Sequence, residues 1–144
     1  MKKTTVEIEN QLTQAKSRDD LEKILKNLPQ VTFRTRMEEL CEKYGRKITA
    51  TAELAGIAVS TFYAILNKER PAHKDQLIKV SFILGTTLEE LNELLKLAGL
   101  KELYAKNKED AIVRYGKEHG LTISEVDELL EANNCVLRFE EFRD

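Results

Sequence analysis

The sequence predicts an all-α protein. Three observations carry this expectation. Apolar residues recur at three- and four-residue spacing along nearly the whole chain, no segment alternates convincingly with period two, and capping residues or glycines bound the periodic runs. From the N-terminus, Val6, Ile8, Leu12 and Ala15 mark a first helix. "SRDD" at Ser17–Asp20 reads as a capping box with Asp in the Glu position, ahead of Leu21, Ile24, Leu25 and Leu28, and Pro29 stops that helix. Thr32 caps a third, with a stripe of Phe33, Met37, Leu40, Cys41 and Tyr44 that ends at Gly45. Further on, "KDQLIKVSFILG" places Leu77, Ile78, Val80, Ile83 and Leu84 on a wide apolar face closed by Gly85.

An internal echo follows. "TLEELNELLKLAGL" (Thr87–Leu100) aligns with "TISEVDELLEANNC" (Thr122–Cys135) at an offset of 35 residues. Each copy opens on Thr with Glu three residues on, a full capping box, and each closes on a helix-stopping pair, Ala98-Gly99 or Asn133-Asn134. Two copies are too few for a solenoid. They read as equivalent helices of a small bundle, with Lys108–Gly120 as the helix between them. Their leucines (Leu88, Leu91, Leu94, Leu95, Leu97, Leu129 and Leu130) exceed what one short helix pair needs, so burial in the bundle is expected, with a dimer seam as one of two equal outcomes for any surplus.

Composition excludes several classes. A chain of 144 residues with 42% hydrophobic and 33% charged residues and few Gly and Pro is neither disordered nor collagenous. No apolar run approaches the roughly 20 residues a membrane span needs, and no secretory apolar region follows Lys2 and Lys3, so a cytoplasmic location is expected. Those two lysines read as a solvated terminus, a basic arm being the alternative. Cys41 and Cys135 are far apart without CxxC or Cys/His spacing, so small thiols are expected rather than a disulfide or a zinc site, and no metal or cofactor. The net charge of −2 is uneven. Residues 31–79 hold nine Lys/Arg against six Asp/Glu, whereas residues 80–144 hold eight against fourteen. A mildly basic middle is joined to an acidic C-terminal part.

The basic part contains "TAELAGIAVSTFYAILNKERP" (Thr51–Pro71), and its spacing is specific. Thr49 caps a short helix with Ala52 and Ala55 inward. Gly56 supplies a left-handed stop at little cost. Ile57 plugs the gap, and a second helix from about Val59 buries Phe62 and Ile65. This is the recipe for two helices at about 90–120° joined by a tight turn, a helix-turn-helix. The outward residues of the second helix are then Val59, Ser60, Thr61, Tyr63, Ala64 and Asn67.

On Ala52, Gly56, Ile57, Phe62 and Ile65, followed by "NKERP" at Asn67–Pro71 and "ILGTTLEEL" at Ile83–Leu91, the chain resembles the Xre-like regulators of the lambda-repressor/Cro superfamily. The resemblance covers about Thr32 to Ala98. It implies a lambda-repressor-like five-helix domain at residues 31–98, with an N-terminal helical extension (1–30) and a C-terminal helical module (99–144) for packing or dimerisation. It further implies a DNA-binding regulator whose helix Val59–Lys68 enters the major groove. Double-stranded DNA is then the expected partner, and a homodimer the candidate assembly. Val59, Ser60, Thr61, Tyr63, Ala64 and Asn67 would face the bases, while Lys47, Thr49, Lys68, Arg70 and Lys74 would contact phosphates. Tyr63 has two readings of equal weight, a DNA contact or half-packing on a neighbouring helix. The chain departs from the family at three places: Ala58 stands where Ser is frequent, Val59 and Ala64 where Arg, Gln or Lys are, and Thr51 where a buried Leu is.

The alternative, from another class, is a protein-interaction adaptor on the same scaffold, antitoxin-like or a co-regulator. It is motivated by the uncharged outward face and the acidic C-terminal part. An enzyme is not expected. The two histidines, His73 and His119, lie near no nucleophile pattern, and no phosphate-binding glycine loop or HExxH occurs. For His119 a helix C-terminus is a sufficient explanation.

Overall fold

The computed structural model describes residues 5–26, 28 and 31–140. The expectations for Lys2, Lys3 and Pro29 lie outside these residues. Nine α-helices and no strand occur among the described residues: α1 (Thr5–Gln14), α2 (Arg18–Lys26), α3 (Phe33–Lys43), α4 (Ile48–Leu54), α5 (Val59–Leu66), α6 (Lys74–Leu84), α7 (Leu88–Leu97), α8 (Lys108–Glu118) and α9 (Ile123–Ala132). The chain divides into two compact units, Met1–Val31 and Thr32–Asp144.

In the first unit α1 and α2 pack on each other, and neither holds a fully buried residue. The Ser17 hydroxyl accepts from the Asp20 amide at 3.2 Å, while the Asp20 carboxylate reaches back one residue further than a standard box, to the Lys16 amide.

The second unit has one apolar core to which every helix from α3 to α9 contributes. Its helices start where the chemistry dictates. The Thr32 hydroxyl accepts from the Thr35 amide, and the Thr35 hydroxyl returns the bond at the Thr32 amide. Thr87 with Glu90 and Thr122 with Glu125 close two further reciprocal boxes. The C-terminal ends repeat one device. At the end of α4, the Ile57 amide donates to the Ala52 carbonyl at 2.9 Å and the Gly56 amide to the Glu53 carbonyl at 3.1 Å. Gly56 has φ +70°. This is a Schellman motif with its left-handed residue at Gly56 and a buried contact between Ile57 and Ala52. In the repeated helices, Gly99 (φ +78°) and Asn134 (φ +62°) occupy the same position.

Helices α8 and α9 belong to the same compact unit as α3–α7. The leucines of the repeated helices are buried in this unit as expected: Leu91, Leu94, Leu95 and Leu130 fully, and Leu88, Leu97 and Leu129 partly. The C-terminal segment is pinned by Asp127, whose carboxylate accepts from the amides of Phe139 and Glu140 at 2.8 and 2.9 Å, and Phe139 is buried. The Lys117 amine enters from α8 to cap the end of α6, donating to the carbonyls of Ser81 (2.8 Å) and Thr86 (2.9 Å) above the Phe82 ring. Burial lowers its pKa to about 8, against a smaller opposing pull from Glu90.

Gly116 is the close-approach point of α8. A Cβ there would stand 2.5 Å from Val126 Cγ2 and 3.4 Å from Phe82 Cζ. Val126 is β-branched and fully buried, so it has little freedom to yield. Gly116→Ala is therefore expected to destabilise by about 1–3 kcal/mol, overriding the ~1 kcal/mol that alanine gains in a helix interior. Urea unfolding checks this, and a net stabilisation would show that α9 moves aside.

Candidate nucleic-acid interface

Helices α4 and α5 are bent by 117° at the short break between them. The angle follows from the turn, because the left-handed Gly56 reverses the chain while Ala52 and Ala55, both buried, let the helices meet without bulky side chains between them. Phe62, Ile65 and Leu66 fix the inward face of α5. Ala58 precedes it as N-cap with no side-chain hydrogen bond.

The outward residues are not equally presented. Ser60 and Asn67 are exposed, whereas Val59, Thr61, Tyr63 and Ala64 are half-buried. Tyr63 packs against the core with its ring 5.9 Å from the guanidinium carbon of Arg34, so half-packing is the arrangement observed for it. Arg34, on the first turn of α3, also donates to the Asn67 side-chain carbonyl and lies 3.7 Å from Glu38. Arg34, Tyr63 and Asn67 thus form one cluster that places a guanidinium beside α5, where the helix's own sequence carries no charge. Sequence reasoning missed Arg34. Its one available signal was an arginine next to Phe33 on the polar side of the α3 stripe, and nothing local connects it to a residue 33 positions away.

Three expectations need correction. Thr49 is not the cap of α4. Lys47 occupies that position with extended backbone (φ −68°, ψ 151°), and Thr49 is the second helical residue, exposed. The helix starts earlier because Ile48 is already in its first turn, and the buried Thr51 hydroxyl donates to the Lys47 carbonyl at 2.9 Å. The second helix ends at Leu66 rather than Lys68. The Lys68 and Glu69 amides close a Schellman motif on the Ile65 and Ala64 carbonyls, which makes Asn67 the C-cap and puts Lys68 at φ +60°. Lys74 does not stand free for a phosphate: its amine is 2.6 Å from the Asp110 carboxylate, a group that also accepts from the Tyr104 amide.

Lys47, Lys68 and Arg70 are exposed on the segments flanking α4 and α5. With Arg34 they put four cations around the α4–α5 pair. Cys41 is buried with its thiol 3.8 Å from the Thr51 hydroxyl and its pKa raised by burial, while Cys135 is half-buried. Among the described residues no cluster of three or more His, Cys, Asp or Glu could hold a metal, and no single helix is long and apolar enough to cross a membrane. Comparison with protein-family models, curated proteins and solved structures finds no match to this chain.

Proposed function

We propose that this chain is a cytoplasmic, sequence-specific DNA-binding transcriptional regulator, in which α3–α7 form a helix-turn-helix domain of the lambda-repressor/Cro type. The observation that supports it most is the α4–α5 pair: two short helices at 117°, joined at a left-handed glycine, with cations on both sides. In this reading α5 lies in the major groove with its N-terminal half toward base edges, and α4 crosses the backbone. Ser60 and Thr61 donate and accept at base edges, and the Thr61 methyl contacts a thymine methyl. Arg34, carried beside Tyr63 and Asn67, supplies the donor fork that suits guanine O6 and N7. Lys47, Lys68 and Arg70 neutralise phosphates and set affinity rather than sequence. Two copies on half-sites roughly 34 Å apart would suit such a domain.

Selection of bound duplexes from a random pool tests the assignment of roles. Ser60→Ala with Thr61→Ala is expected to blur the selected sequence, and Arg34→Ala to relax it at one guanine by about 1–3 kcal/mol. Lys68→Ala with Arg70→Ala weakens all duplexes about equally. A wild-type chain that enriches no sequence, or variants at Ser60 and Thr61 that leave the preference intact, would contradict the proposal. A chain that binds no duplex at all would be the interaction adaptor instead, for which the half-buried apolar Val59 and Ala64 offer contact surface.

A further inference from the structure

A groove of about 570 Å3 opens beside the C-terminal end of α5, between the start of α3, the loop Lys68–Ala72 and the end of α7. Its apolar surface includes the half-buried Leu97 and Ala98, with Phe33 and Ile65 almost fully buried beneath them, and much of its remaining lining is polar. Its rim carries Lys68, Arg70 and Lys96, all exposed, against one lining carboxylate, Glu69. Lys96 lies 3.6 Å from Glu102, an ion pair open to water on both sides and therefore weak. Lys68 is also held where lysine is costly. It occupies the left-handed position of a helix-ending motif that glycine or asparagine fills elsewhere in this chain. Such local strain concentrates at ligand clamps and other functional sites.

We propose that this groove binds a small amphipathic carboxylate, its alkyl body on Phe33, Ile65 and Leu97 and its head group between Lys68, Arg70 and Lys96. The volume is within the range of small-molecule sites, which combine apolar surface with a few charged groups, as this groove does. Net positive charge on the rim selects an anion, and the floor selects one with an apolar tail. The occupant would engage the two cations assigned above to phosphates, so binding would weaken the hold on DNA by mutual exclusion. This last step rests on the proposed function, while binding itself does not.

The test uses the full chain without DNA. Hexanoate, octanoate, decanoate and 1-octanol are titrated while the backbone amide resonances of Lys68–Ala72 and Lys96–Gly99 are followed. Saturable shifts confined to these segments are expected, with affinity rising by about 1.5-fold to twofold per added methylene, half or less of the full-burial value because the groove is open, and octanoate at least about tenfold tighter than octanol. Lys68→Gly, which keeps or improves the turn while removing the charge, combined with Lys96→Ala, should bring octanoate down to the level of octanol. Absence of saturable shifts, equal binding of acid and alcohol in the wild type, or retained discrimination in the double variant would overturn the proposal. So would displacement of the carboxylates by a second copy of the chain, seen as shifts that depend on protein concentration alone, or saturation by an acidic leucine-rich peptide where octanoate has no effect. A separate titration with a selected duplex then reads the coupling. Octanoate that binds the free chain but leaves duplex affinity unchanged contradicts only the exclusion step.

Discussion

Phe62→Ala is expected to lower the unfolding free energy by about 3–5 kcal/mol. The Phe62 side chain is almost fully enclosed and lies on the inward face of α5, the face that holds this helix against α3 and α4. Both neighbours are themselves held by residues with little freedom to collapse into a void. Ala52 and Ala55 are small and fixed by the Gly56 turn, and Met37 and Leu40 are fully buried on α3. The cavity left by the ring would therefore persist, which keeps the cost within the range for buried aromatic truncations. α5 is only eight residues long and too short to hold its shape alone, so its position depends on this packing. The same substitution should abolish duplex binding before global unfolding. Urea unfolding followed by circular dichroism measures the loss, with Ser60→Ala, an exposed neighbour expected to change stability by less than about 0.5 kcal/mol, as the control. A loss below about 1 kcal/mol for Phe62→Ala would mean that the ring does not hold α5 in place.

The second large effect is expected at Glu90. This carboxylate on the first turn of α7 is nearly buried, and three kinds of donor converge on it: the Lys43 amine at 2.7 Å, the Tyr44 hydroxyl, and the Thr87 amide at 2.9 Å within the capping box. Arg36 stands 3.8 Å away, itself bonded to Glu93. Burial alone would push the Glu90 pKa up, but these donors outweigh it and hold it at about 2, below the ordinary 4.5. Between those values the folded state binds fewer protons than the unfolded state. Stability from this group is therefore fully present above about pH 4.5 and is lost as pH falls toward 2, in total about 1–3 kcal/mol because water at the exposed Lys43 amine screens part of the interaction. Glu90→Gln preserves the shape and removes the charge, so it should cost about that amount at neutral pH and almost nothing near pH 2. Urea midpoints of both proteins across this range provide the check. A difference that does not shrink on acidification would contradict the assignment of the ionised carboxylate as the hub between α3 and α7.

Local chemistry was legible in the sequence wherever a device is contained within a few residues. Thr32, Thr87 and Thr122 cap helices because a hydroxyl followed three residues later by a reciprocal side chain needs no tertiary information. Gly56 turns the chain because only a residue without Cβ adopts its conformation cheaply. The same reasoning explains the errors. Thr49 has the chemistry of a cap, yet α4 starts two residues earlier, at Ile48, because Ile48 packs on the core and Thr51 is buried in it, which no local pattern announces. Lys68 ends α5 in a left-handed conformation that lysine disfavours, so propensity alone would have extended the helix. Neither the Arg34 cluster nor the Lys74–Asp110 pair has a local signature, because each joins residues about thirty or more positions apart through the packing of helices. The charge on the candidate reading face was thus hidden from a helix-by-helix reading, while one of the expected phosphate contacts proved to be already satisfied.

The proposed DNA-binding role is tested most directly by fluorescence anisotropy of a labelled pool of random duplexes, titrated with the full chain at two salt concentrations. With Lys47, Lys68 and Arg70 on phosphates, the logarithm of the association constant should fall with the logarithm of salt at a slope of about −3. Binding should be measurable at low salt and strongly reduced at the higher one. An absence of binding at low salt, or binding that does not respond to salt, would contradict the role assigned to α4, α5 and their flanking cations.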